Sequence, residues 1–280
     1  MRAAVLFLTA CAAFAQTTSQ APVEPPHISG QGVTAAFEGW YPNQDGTSTI
    51  LIGYYNRNLK ETLDIPVGPN NRVEPGGPDR GQPTHFLPGR QWGVFTITVP
   101  KSFGEQKLTW TLVANGKTAS IPVSLNPLWV ISPFIEATGN TPPFIGFAES
   151  GPFVQGPPRT VAQSFETGPQ TPLPLNIWVS DDAKVPPAFE AYAKMLPMVS
   201  VTWSKFRGPG EVKFAAEKPK VEKTDFKAPA AYAGKSSTTA TFSEPGDYLI
   251  EVVANDISGV GGAGFQCCWT TAQVKVTVKP

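Results

Sequence analysis

The chain has 280 residues and balances 22 Lys and Arg against 22 Asp and Glu, with two His and three Cys. Near-neutrality argues against nucleic acid as the main partner, which needs a concentrated basic face, and so few histidines exclude a His-rich metal centre or a metalloprotease helix. Thirty Pro and 26 Gly punctuate short runs rich in Val, Ile, Phe and Trp, a composition that favours an all-β protein.

The first residues, MRAAVLFLTACAAFAQ, carry Arg2, an apolar run over residues 3–14, and Ala13-Phe14-Ala15 ahead of Gln16. These are the three regions of a secretory signal peptide. The run is too short to span a bilayer, and no other segment approaches the roughly 18 apolar residues that a transmembrane helix needs. The reading is a signal peptide over 1–15, a flexible start over 16–26, and a mature protein that is secreted or periplasmic. In a rival reading, LTAC is a lipoprotein box and Cys11 is lipidated.

Residues 27–125 read as one β-sandwich. VTAAFEGWYPNQDGTSTILIGYYN places two β-rich segments on either side of a Pro-Asn-Asp-Gly reversal. In LTWTLVANGKTASIPV, Leu108, Trp110 and Leu112 alternate with their neighbours until Asn115-Gly116, a pair that suits the positive-φ positions of a tight hairpin. ETLDIPV and WGVFTITVP lie between these hairpins, giving about seven short strands with no helical period. The polar loop GPNNRVEPGGPDRGQPTHFLPGRQWG contains Arg72, Asp79, Arg80, His85, Arg90 and Trp92. Arg80, His85, Arg90 and Trp92 form a candidate ligand site, because Arg beside Trp can hold a carboxylate or stack on a sugar. The bland alternative is a structured crossover between sheets. A Ser-His-Asp arrangement around His85 stays open, although no G-x-S-x-G elbow accompanies it.

Residues 126–160 hold seven prolines and no sustained alternation. A stretch of that length reads as an interdomain connector. LWVISPFIEA and PPFIGFA are too apolar to float in water, so the connector is expected to lie against one or both domains.

Residues 161–280 read as a second sandwich with one short helix. In SEPGDYLIEVVAND, Pro245-Gly246 leads into a strand with Tyr248, Ile250, Val252 and Ala254 on one face. The Glu244, Gly246, Tyr248 spacing fits a tyrosine corner, and Trp203 fits the buried Trp of strand C. In AKVPPAFEAYAKMLPM, Phe189, Tyr192, Ala193 and Leu196 recur at helical spacing after two prolines, which predicts a core-packed helix stopped by Pro197. Together, VTWSKFRGPG, TATFSEPGDYLIEVVAND and the closing VKVTV resemble a polycystic-kidney-disease-type repeat over residues 199–278, an immunoglobulin-like sandwich common in secreted bacterial proteins. The resemblance implies an extracellular spacer or binding module and not an enzyme. Ile250 stands where antibody-type domains carry a strand-F cysteine, so no intersheet disulfide is expected. The whole chain is also similar to exported proteins of environmental bacteria.

The remaining cysteines are adjacent, in GFQCCWTTAQVKVTV. Cys267 and Cys268 can form a vicinal disulfide favoured by an oxidising compartment, remain free thiols in the core, or ligate metal or bridge to another chain. Unbroken alternation from Val274, Val276 and Val278 puts Cys268 inside with Cys267 and Trp269 outside; a bulge at Thr270-Thr271 would bury Trp269 instead. If residues 173–180 are strand B and 247–254 are strand F, one pole gathers Asp181, Asp182, Asn255 and Asp256 beside the cysteines, an oxygen set that suits calcium. Asp and Asn are equally at home there as turn formers.

The sequence thus predicts two immunoglobulin-like antiparallel β-sandwich domains joined by a Pro/Gly-rich connector. The expected role is an exported, non-catalytic structural or recognition module with protein or glycan partners at its loops. The alternative is a redox-active or hydrolytic accessory enzyme that uses the cysteine pair or the His85 loop.

Overall fold

The computed structural model describes residues 27–259 and 266–280. The expected signal peptide, Cys11 and the start over 16–26 lie outside the described residues.

The first half supplies β1 (Val33–Pro42), β2 (Ser48–Asn56), β3 (Leu63–Asp64), β4 (Asn71–Glu74), β5 (His85–Phe86), β6 (Gly89–Val99), β7 (Lys107–Ala114) and β8 (Lys117–Ser124). One sheet runs β1-β2-β6 and faces a second running β4-β7-β8, while β3 and β5 pair separately. The β7–β8 hairpin closes at Asn115 and Gly116, with φ of 50° and 71°, the pair of positive values expected of Asn-Gly. ETLDIPV forms only the two-residue β3.

Alternating residues of both sheets fill a core around Trp110, whose indole N–H donates to Asn71 Oδ1 at 2.9 Å while Phe95 meets it edge-on at 5.0 Å. The 68–93 loop is the crossover from the β4 sheet to the β6 sheet, as the blander reading had it. Buried Asn71 ties it down by donating to the carbonyls of Ile65 and Pro83 at 2.9 and 2.7 Å, and buried Gln82 accepts from Arg80 N–H at 2.8 Å. A polar loop can be buried in this way because its backbone groups are paired internally.

The second half supplies β9 (Phe144–Gly146), β10 (Phe153–Gln155), β11 (Val161–Thr167), β12 (Leu173–Asp181), β13 (Val199–Arg207), β14 (Val212–Phe214), β15 (Val221–Lys223), β16 (Tyr232–Phe242), β17 (Gly246–Asp256) and β18 (Trp269–Val278). One sheet runs β10-β9-β12-β16-β14 and the other β11-β18-β17-β13, an immunoglobulin-like order in which β11 joins β18 as a parallel pair. The stretch 126–160 is therefore more than a connector, since β9 and β10 extend the sheet of β12. Tyr248 is buried, and its hydroxyl donates to Glu244 O at 2.9 Å and accepts from Gly210 N–H at 3.1 Å, completing the tyrosine corner. Trp203 is buried on β13, as its place on strand C requires, and Ile250 fills the core where a cysteine would bridge the sheets.

The predicted helix differs. Pro187–Tyr192 is a 3-10 turn, and Tyr192, Met195 and Leu196 are exposed instead of core-packed. With about three residues per turn, positions 189, 192, 193 and 196 no longer make one stripe.

The two sandwiches share more than a linker. On β13, Phe206 lies on the face opposite Val199, Val201 and Trp203, next to a register shift between Lys205 and Arg207, and it enters the core of the first sandwich, where it is 2% exposed. Phe206 O accepts from Thr84 N–H at 3.1 Å. Arg207 donates to both oxygens of Asp79 at 2.9 and 3.1 Å, and to Gln82 O at 2.7 Å. Replacing Phe206 with Ala would leave a cavity in the first sandwich although the substitution lies in the second; a loss of about 3 to 5 kcal/mol is expected in urea unfolding followed by Trp fluorescence. A cost no larger than an exposed substitution would refute the shared core.

Candidate functional site

Docking of the first sandwich covers the outer face of β17 and β18. Register is continuous along this pair, so Tyr248, Ile250, Val252 and Ala254 face the core while Glu251, Val253 and Asn255 face outward, opposite Gln273, Thr271 and Trp269. Trp269 is nevertheless 4% exposed. The alternation holds without the bulge at Thr270-Thr271, and Trp269 is buried because a neighbouring domain lies over it. A side chain on Gly93 could not fit: an added Cβ would stand 2.7 Å from Trp269 Nε1, and the backbone there has φ of +56°.

Between the domains lies a cleft of about 990 Å³. From the first sandwich come Asp64, His85, Arg90 and Trp92; from the second, Ser204, Lys205, Phe214, Glu251, Asn255 and Trp269. Three of the four residues predicted to bind ligand thus meet here, but their partners are strands of another domain and not a sandwich loop. Arg80 does not join them; its guanidinium donates to Pro75 O at 3.0 Å within the crossover loop.

Asp64, His85, Arg90 and Lys205 are paired, and Glu211, Lys213, Glu217 and Lys218 also line the cleft. Arg90 lies over the Trp92 ring, 3.9 Å from its centre, and donates to Glu38 Oε1 at 2.7 Å and Tyr54 O at 3.2 Å. Glu38 also accepts from Gly93 N–H at 2.8 Å. Burial raises Glu38 to about 7, against the pull of Arg90 and that N–H. His85 Nδ1 stands 2.8 Å from Asp64 Oδ1, and Lys205 reaches the same oxygen at 3.3 Å. Burial pushes Asp64 up, but its bonds from His85 and the two nearby cations outweigh this and leave it below the usual carboxylate range. Burial lowers His85 despite Asp64. Among the described residues, no hydroxyl or thiol side chain hydrogen-bonds His85, so the dyad has no nucleophile attached.

The floor is different. Glu251 Oε2, Asn255 Oδ1 and Thr271 Oγ1 are buried without a partner, and all three belong to the outer face of β17 and β18. Unpaired buried polar atoms cost about 1–3 kcal/mol each and are rare without a reason. Burial raises Glu251 to about 8, with only Gln273 pulling it back. Sequence reasoning missed Glu251 as a site residue: a carboxylate on the outer face of a sheet reads as solvated until another domain is placed over it.

The pole of the second sandwich holds the remaining candidates. Cys267 and Cys268 form a vicinal disulfide across a cis peptide, with Cα atoms 3.1 Å apart where a trans linkage would hold them further away. Both are buried, so Cys267 is not on the outside as alternation had it. The Cys268 sulfur lies 3.4 Å from Asn140 O. The four residues expected to gather around calcium are split. Asn255 faces the cleft, Asp182 accepts from Thr141 N–H and hydroxyl at 3.1 and 2.9 Å, and Asp256 accepts from Asn140 and Ser258. Among the described residues, no cluster of three or more His, Cys, Asp and Glu is arranged to hold a metal ion. Asp181 is buried, raised to about 7 by burial, with Oδ2 unpartnered.

No protein-family model matches the chain, and no curated protein matches it. Similar solved structures include titin domains Z1Z2 in complex with telethonin, at 12% identity over 89% of this chain and 97% of that one, with a TM-score of 0.23. The D00-D0 domain of intimin aligns at 10% identity over 89% and 100%, with a TM-score of 0.25. Domains 4 and 5 of the S-layer protein SbsC align at 9% identity over 89% and 98%, with a TM-score of 0.24. TM-scores this low carry no argument, and the immunoglobulin-like fold rests on the strand order above.

Asp181 and Glu251 make stability fall as pH rises. Each binds a proton in the folded state up to about 7 and about 8 respectively, whereas the unfolded chain releases it near the ordinary carboxylate value of about 4. Between those limits the folded state holds more protons, so each group removes up to about 1.4 kcal/mol per pH unit. His85, lowered on folding, opposes this as a single group below its ordinary value of about 6.5. Urea midpoints at constant salt should be higher near about pH 5 than near about pH 8. Glu38, raised to about 7, acts in the same direction, and a midpoint that rises across that interval would contradict the assigned protonation of these three carboxyls.

Proposed function

We propose that the protein is an exported, non-catalytic recognition module that holds its ligand in the cleft between its two sandwiches. The observation that carries this reading is the convergence of His85, Arg90 and Trp92 from one wall with Lys205, Glu251 and Asn255 from the other, Glu251 and Asn255 each holding a buried oxygen without a partner. Concave sites between domains, with a few polar groups on an apolar frame, are where ligands settle. Export is inferred from the amino-terminal pattern, and a disulfide between Cys267 and Cys268 suits an oxidising compartment. Among the described residues, no helix is long and apolar enough to cross a membrane. The second sandwich reads as a polycystic-kidney-disease-type repeat, supported by its tyrosine corner and strand-C Trp. Partners are protein or glycan, taken between the domains in preference to the loop tips.

Ser204→Trp puts a large ring into the cleft from β13, and Arg80→Ala alters only the crossover loop. Screening the full chain against displayed peptides and arrayed oligosaccharides should yield binders that Ser204→Trp loses and Arg80→Ala keeps. Binders indifferent to Ser204→Trp would place recognition elsewhere on the molecule.

A further inference from the structure

We propose that Glu251 is a pH-sensitive latch on the contact between the sandwiches: its neutral carboxyl lets the first sandwich close over the outer face of β17, and its carboxylate releases that face. The latch needs no ligand, so it stands or falls independently of the recognition reading.

On the outer face of β17, Leu249, like Phe206, packs against the core of the first sandwich, and Glu251 is the next residue on that face. Glu251 is 6% exposed, and a charge on it is felt by Tyr54 of β2, which places the first sandwich over it. Its register partners in its own sheet are neutral, Ser204 on β13 and Gln273 on β18. Gln273 bonds it, and Oε2 has no partner.

The charged groups nearby are committed or distant from the sealed face. Arg90 serves Glu38, Lys205 serves Asp64, and Asp64 holds His85. Glu211, Lys213, Glu217 and Lys218 line the cleft at exposed positions. Among the described residues, no Lys or Arg pairs with Glu251. Glu38 makes the contrast: it is as buried, but Arg90 and the Gly93 N–H, both of its own sandwich, receive its charge. A carboxylate at 251 has no such reception, and only water admitted between the sandwiches would solvate it.

Burial holds Glu251 at about 8 while the face is covered; once open, it returns to the ordinary carboxylate value of about 4. The closed form therefore keeps the extra proton between those limits. Closure is strongest below about pH 4, weakens by up to about tenfold per pH unit through the interval, and loses nothing further above about 8. His85 acts the other way, because burial lowers it despite Asp64 and Lys205 adds to the fall. Its protonation favours opening only below its ordinary value of about 6.5. Asp64, held low, and Tyr54, raised by burial, each keep one charge state from about pH 6.5 to about pH 9.

The test places a thiol beneath the cover. Asn255→Cys puts it at a 2% exposed position on the same face, and Cys267 and Cys268, joined to each other, do not compete. Iodoacetamide labelling of the full chain at position 255, read by peptide mass, is compared with that of the double variant Asn255→Cys/Glu251→Gln between about pH 6.5 and about pH 9. Dividing the two rates cancels the thiol's own ionisation and the contribution of Glu38. The ratio should climb by up to about tenfold per pH unit to about pH 8 and then level off. A ratio flat across the interval would overturn the proposal, and so would a thiol at 255 that is labelled as fast in the folded Gln variant as in the unfolded chain. Val201→Cys, 2% exposed in the core of the second sandwich, reports global unfolding; it should stay protected, and labelling there at the rate seen at 255 would also overturn the latch. If Asn255→Cys does not fold, Thr271→Cys, 2% exposed on the same face, takes its place with the same expected ratio.

Discussion

The structure depends on Phe206. Alternation from Val199, Val201 and Trp203, which face the core of their own sandwich, puts this ring on the other side of β13, and it enters the core of the first sandwich beside Trp110's sheet. Burying an aromatic side chain is worth about 1.5–3 kcal/mol before any cavity term, and the Arg207–Asp79 fork fixes the angle at which it happens. With the domains held there, the outer face of β17 and β18 is covered, Trp269 meets Gly93, and a cleft remains along the edge of contact. Without that contact, Glu251 and Asn255 would be ordinary solvated side chains.

What could be read in the sequence was local. The Asn115-Gly116 hairpin, the Tyr248 corner, the buried Trp203 and the absent intersheet cysteine each follow from residues within a few positions of one another, and each is present. The short helix after Pro186 is present but is a 3-10 turn without core packing, because a 3.6-residue period and a 3-10 turn share too few residues to be told apart over one turn. β9 and β10 were hidden in the proline-rich stretch because strands of three residues leave no alternation to see. The site was half legible. His85, Arg90 and Trp92 stood out by residue type, but Lys205, Glu251 and Asn255 belong to the opposite wall, and no pattern within one strand says that another domain will cover it.

Strand β17 carries polar groups of two kinds on its two sides. Near its end, Asp256 turns inward to Asn140 and Ser258, beside the Cys267–Cys268 ring, and its oxygens are used by the protein itself. On the outer face, Glu251 and Asn255 keep oxygens that the protein leaves unused. Satisfied buried polar groups secure a fold, while unsatisfied ones beside a cleft mark where something else completes the bonding. The pole holds unpartnered atoms as well, Asp181 Oδ2 and Asn140 Oδ1, so unused oxygens alone do not separate it from the cleft.

The central claim is that the two sandwiches form one cooperative body through β13. Scanning calorimetry of the full chain tests it most directly. A single transition, with calorimetric and van't Hoff enthalpies in a ratio of about one, is the outcome the shared core requires. Two separable transitions, each with the enthalpy of one sandwich, would show that Phe206 does not couple the domains and that the cleft has no fixed shape.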